Sequence, residues 1–187
     1  MRTTRTMRGL GSDLLAEARI ARPCGAAGII AGLCGAYARR RGGRPVESRF
    51  VPFPPDTASG LWLELEDRDL IVVEARTRPE HQLVIACHEL WHLEEGACDG
   101  HGPGMAVAAR LTGPRGGLAG LLRTDSGLGA VVRQAAARAD ADDPAEVRAE
   151  TFGLHLGTIL RTYLPPPRQD PFPEDLERIR SSLGWSR

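Results

Sequence analysis

Apolar residues recur along this chain with two different periods, and the change of period marks its elements. Residues 12–21 and 24–41 carry helical spacing and read as two helices broken at Pro23, with Gly42-Gly43 ending the second in a left-handed cap. Residues 45–51 read as an edge strand leading into the turn-rich VPFPPDTASG. The period then drops to two. Leu61, Leu63 and Leu65 alternate with Trp62 and Glu64, as in a half-buried strand. Asp67-Arg68-Asp69 reads as a turn and Leu70 to Glu74 as a second strand, which together predict a hairpin. Helical spacing returns with Leu83, Val84, Cys87, Leu90 and Trp91. Thr77 and Glu80 are spaced as a capping box, Pro79 sits in the first turn, and Gly96 is the expected stop. Residues 97–117 are Gly-rich and read as loop plus a short helix, and residues 118–139 as helical pieces around Ser126-Gly127. A helix is predicted from Asp142-Asp143-Pro144 to about Tyr163, stopped by Pro165-Pro166-Pro167, and a last charged helix from Pro173 to Leu183. The pattern gives an α+β fold, mostly helical, with a small, mainly antiparallel sheet before the helix of residues 77–96. Residues 1–8 read as a disordered basic arm and 9–187 as one domain; no internal repeat is visible.

Composition adds limits. A chain of 187 residues with 42% hydrophobic and 26% charged residues can bury one ordinary core. The net charge is zero, so the molecule as a whole has no pull toward nucleic acid or membrane. Residues 1–50 nevertheless hold ten arginines against Asp13, Glu17 and Glu47, which reads as a solvated terminus in preference to a phosphate-binding arm. All 24 basic residues are arginine, and lysine and asparagine are absent, a mark of GC-rich bacterial coding that carries no mechanism. Pro23 to Ala38 is nearly free of charge but short and diluted by glycine, so a buried helix is expected there and no membrane span. Cys24, Cys34, Cys87 and Cys98 form no CxxC pair. They suggest free thiols in a reducing cytoplasm, with Cys87 as a small buried residue.

The chemistry lies in His88-Glu89-Leu90-Trp91-His92, an HExxH sequence. Four residues make just over one helical turn, so both imidazoles leave one face and can converge on one ion. Zinc suits two neutral imidazoles plus a carboxylate. Glu89 stands where a carboxylate can take a proton from water and pass it to a leaving amine. Spacing alone leaves the third ligand open among Cys98, Asp99, His101 and Glu146, with Glu150 sharing a helix face with Glu146. Cys98 stands ten residues after His88, where a third His would sit in HExxHxxGxxH enzymes, but position 95 is Glu where that pattern has Gly. His101, His155 and Tyr163 are the candidates for stabilising an oxyanion, His155 being more in character as a core histidine.

VIACHELWHL, followed by Glu146-Val147-Arg148-Ala149-Glu150-Thr151-Phe152-Gly153, resembles the ImmA/IrrE family of metallopeptidases over roughly residues 60–160. Members typically show an AHExxH helix and a downstream E-x-x-A-[N/D]-x-F-A, whose first Glu is the third zinc ligand. The resemblance implies a zincin-like fold with Glu146 as that ligand. Ala149 and Phe152 match; Cys87, Glu150 and Gly153 replace the usual Ala, Asn or Asp, and Ala. The spacing from His92 to Glu146 is long for the family, so residues 99–140 read as an insertion, with 99–120 expected either to cover the cleft as a lid or to be a passive surface insertion. The resemblance also implies a protein substrate, such as a helix-turn-helix repressor, and no direct contact with nucleic acid. The expected activity is that of a zinc endopeptidase; the alternative is a catalytically silent, toxin-like or regulatory zinc module that acts by binding. An extended substrate would add to a sheet edge, either Pro45 to Val51 or Leu61 to Leu65.

Overall fold

The computed structural model describes residues 2–53, 59–65, 67–99 and 144–166. These form helices α1 (Arg2–Ala18), α2 (Ala26–Arg40), α3 (Pro79–Asp99) and α4 (Pro144–Leu160), with a single 3-10 turn at Arg161–Tyr163. Strands β1 (Val46–Val51), β2 (Gly60–Glu64) and β3 (Asp69–Glu74) make a three-stranded sheet in the order β1-β3-β2. The fold is α+β, as expected from the pattern.

Four details differ from that expectation. Residues 2–8 are the first turns of α1 and no disordered arm; Met7, Leu10, Gly11 and Leu14 recur at helical spacing on its buried face. The sheet is mixed, not mainly antiparallel. The β2–β3 hairpin is antiparallel, with Trp62 opposite Ile71, but β1 lies parallel to β3, with Ser48 opposite Ile71. The chain leaves β1 and re-enters on the far side of β3, so β1 and β2 are the two edges. Third, α3 begins at Pro79 with the Arg78 carbonyl accepting from His81 and Gln82, which puts Arg78, and not Thr77, at the cap position. Finally, α3 runs past Gly96 to Asp99. Gly96 is a contact glycine: a Cβ there would lie 2.6 Å from the Trp62 ring. The expected left-handed stop is found after α2, where Gly42 and Gly43 have φ of +82° and +95°.

Both faces of the sheet are buried, so β3 carries an unbroken apolar run and not an alternation. Val46, Trp62, Ile71 and Val73 join the main core with the buried faces of α1 to α4. Leu63, Leu65, Leu70, Val72, Val51 and Phe53 form a second cluster on the other face. Within the main core, α2 places Ile29, Ile30, Leu33, Cys34 and Tyr37 inside, which accounts for its lack of charge. No described helix is long and apolar enough to cross a membrane. One buried charge organises the sheet end. Asp69 is 1% exposed and accepts from Arg44 Nε at 3.0 Å and Trp62 Nε1 at 3.2 Å, with Arg41 at 3.6 Å.

The segment 99–140, the expected insertion and lid, and the expected helix 173–183 lie outside the described residues, apart from the backbone of Asp99.

Candidate metal centre

Two helices supply the centre, and glycines set how closely they approach. A Cβ on Gly153 would come within 2.8 Å of the Val84 carbonyl oxygen, and one on Gly157 within 2.7 Å of Val84 Cγ2. The backbone of α4 therefore rests directly on α3, one helical turn before His88. Ala149 and Phe152 continue that contact; the Phe152 ring lies 5.0 Å from the Trp91 ring. The two helices run in opposite directions, so the first turn of α4 reaches the part of α3 that carries His92.

There the side chains converge. His88 Nε2 lies 3.3 Å from Glu146 Oε2, His92 Nε2 lies 3.2 Å from Glu146 Oε1, and the two Nε2 atoms are 3.0 Å apart. Among the described residues, these three are the group of His, Cys, Asp and Glu whose ligand atoms are close enough to share one ion. Donors at about 2.0–2.1 Å from a tetrahedral ion stand roughly 3.3–3.4 Å from one another. The observed triangle is within a few tenths of an ångström of that size, so the residues fit a divalent ion. The donor chemistry agrees. Hydrogen bonds from both histidines hold the Glu146 carboxyl far below the usual carboxylate range, so it is an anion. Burial of His92 works against its protonation, but the hydrogen bond to Glu146 and the charges of Glu89, Glu146 and Glu95 outweigh it and raise its pKa. Protons and a cation thus compete for the same negative pocket.

Glu89 lies under this triangle, 7% exposed. Burial raises its pKa, opposed by the nearby histidines and reinforced by Glu146. The backbone N–H of Trp62 donates to it. Gly60 makes room for it: a Cβ there would stand 2.5 Å from Glu89 Oε1 and 2.5 Å from Ile85 Cγ2. The edge of β2 is therefore the strand that borders the centre. Pairs of acids and bases whose surroundings push them apart are the usual substrate for proton transfer near neutrality.

The other expected residues fall elsewhere. Glu150 is exposed on α4 and outside the triangle. His155 is exposed too, which corrects its reading as a core histidine. Tyr163 stands seventeen residues beyond Glu146, roughly 25 Å along the helix, where its ring carries the Arg22 guanidinium at 3.5 Å. It is too far from the triangle to serve as the oxyanion donor. His101 lies outside the described residues, as do the side chains of Cys98 and Asp99. Cys87 is fully buried, and burial pushes its thiol pKa up, as suits an inert packing residue.

The pattern of the sequence missed Gly60, whose role comes from a helix far along the chain, and the pair Arg148–Glu95. That pair left a faint trace, an Arg two places after Glu146 and a Glu three places after His92. No protein-family model, no curated protein and no solved structure matches the chain.

Proposed function

We propose that this chain is a zinc-dependent endopeptidase with a zincin-like domain, as the resemblance to the ImmA/IrrE family implies. One observation carries the reading. His88 Nε2, His92 Nε2 and the Glu146 carboxylate meet within 3.0–3.3 Å of one another, with the buried carboxylate of Glu89 beside them. Two imidazoles and one carboxylate on a tetrahedral centre are a donor set suited to zinc. When bound, the ion supplies Lewis acidity, polarising a peptide carbonyl and acidifying a water.

The chain's own residues do the rest. Glu89 takes a proton from the water at its carboxylate oxygen and delivers it to the amide nitrogen that leaves. The Trp62 N–H and the contact with Gly60 hold the carboxylate in one orientation. An extended substrate adding to the edge of β2, an outer strand among the described residues, would lie beside Glu89, whereas the edge of β1 is on the far side of β3. The proposed partner is a regulatory protein such as a helix-turn-helix repressor, on the strength of the resemblance; the proposed compartment is the cytoplasm, on the strength of cysteines that form no CxxC pair.

The test is cleavage of a mixed peptide library in the presence of zinc, with new termini read by mass spectrometry. Glu89→Gln is expected to keep zinc and lose rate by about 10²–10⁴-fold, the range for a general acid–base group. Equal cleavage by Glu89→Gln would remove Glu89 from the chemistry.

A further inference from the structure

The Glu146 ligand sits in the first turn of a helix, where backbone bonds are fewest and fraying begins. The close glycine contacts of α4 start seven residues later, about 10 Å along the axis. Between them, Ala149 and Phe152 are the buried positions, while Pro144, Val147, Glu150 and Thr151 are exposed. Packing alone thus gives this turn little hold on α3. Besides Glu146 itself, a polar bridge joins the turn to α3. Arg148 Nε donates to Glu95 Oε1 at 2.5 Å and Arg148 Nη2 to Glu95 Oε2 at 3.3 Å, a two-pronged bridge from α4 to α3. Glu95 is one turn beyond His92, at the position where a related zinc pattern has glycine, and its charge acts on His92.

We infer that Arg148 and Glu95 are positioning residues for the metal centre: their bridge fixes the first turn of α4 so that the Glu146 carboxylate meets His88 and His92. The inference rests on the reading of that triangle as a zinc site. The bridge has a second effect. Glu89, Glu95 and Glu146 place three carboxylates around two imidazoles, and Arg148 ties one of them up. With the guanidinium removed, Glu95 is free to turn toward His92 and compete with Glu146. A planar guanidinium can hold both oxygens at once; a lysine ammonium cannot.

The test is zinc titration of the metal-free full chain against a competing chelator, with thermal unfolding of the same metal-free samples. Arg148→Ala is expected to weaken zinc by about 10–100-fold, the usual range for outer partners of a metal site. Its metal-free unfolding midpoint should stay close to that of the unsubstituted chain. Arg148→Lys should lose less, and it serves if the alanine variant fails to fold. The decisive comparison is made in Glu95→Gln, which keeps all three ligands, and there Arg148→Ala should cost nothing further, because the bridge is already broken. The same loss in both backgrounds, or affinity within twofold of the unsubstituted chain, would overturn the positioning role while leaving the zinc site intact. An unsubstituted chain that binds no zinc would retire the role and the site together.

Discussion

Gly60 is the residue on which the orientation of Glu89 turns. A methyl group there would overlap both Glu89 Oε1 and Ile85 Cγ2 at 2.5 Å, and neither can retreat far in a buried setting. Under the proposed mechanism, Gly60→Ala should therefore displace the carboxylate and cut cleavage on the order of 10²-fold, the cost of misplacing a proton-transferring group by about an ångström. Zinc content, measured in the same samples, should not change, because Gly60 does not touch the three ligands. Loss of zinc along with rate would mean that the strand supports the ligands themselves. At this scale the sequence was informative where the chemistry is local. His88, Glu89 and His92 follow from one helical turn, and nothing but spacing is needed to see them. Glu146 needed a second motif, since a distance of more than fifty residues carries no geometry. Gly60 could not be seen, because Ser59-Gly60 reads like any turn before a strand.

Elements were legible in proportion to how local their contacts are. The β2–β3 hairpin and α2 follow from their own periods. The direction of β1 does not, because its pairing with β3 is decided by which edge the chain reaches afterwards. The start of α1 was missed because its arginines mask a stripe of Met7, Leu10, Gly11 and Leu14 that becomes apparent only against α4, where Leu156 Cδ1 would meet a Cβ on Gly11 at 3.5 Å. The contact of α4 with α3 makes a direct prediction. Gly153→Ala presses a methyl against the Val84 carbonyl at 2.8 Å, a backbone atom that cannot swing aside. It should destabilise the fold by about 1–3 kcal/mol, as overpacking does, and weaken zinc as α4 is pushed away; chemical denaturation and a zinc titration check the two effects. The end of β3 makes another. Glu74 accepts from the Phe53 N–H at 2.8 Å and from Arg76 Nε at 3.0 Å, and its carboxyl is lowered to about 2, chiefly by the hydrogen bond from Arg76. A folded pKa below the unfolded one gives stability that is present above about pH 4.3 and lost as pH falls toward 2. Glu74→Gln should thus be less stable than the unsubstituted chain at pH 7 by about 1–2 kcal/mol, a difference that shrinks toward zero at pH 2. Urea unfolding at both pH values measures it, and a difference independent of pH would contradict the assignment.

For the whole molecule, the centre joins two helices that the chain brings together late, so the proposed zinc ion would favour the folded state. Stability should rise with free zinc by RT ln(1 + [Zn]/Kd), about 4 kcal/mol at a thousandfold excess over Kd. His88→Ala should remove that dependence. Zinc X-ray absorption on the purified chain reads the proposed ligand set of His88, His92 and Glu146 directly. The expected spectrum shows one zinc per chain with nitrogen and oxygen neighbours at about 2.0–2.2 Å and outer-shell scattering from two imidazoles, with loss of one oxygen neighbour or of the ion in Glu146→Ala. A sulfur neighbour at about 2.3 Å would make Cys98 the third ligand in place of Glu146, and a chain that holds no zinc would rule out the zinc centre altogether.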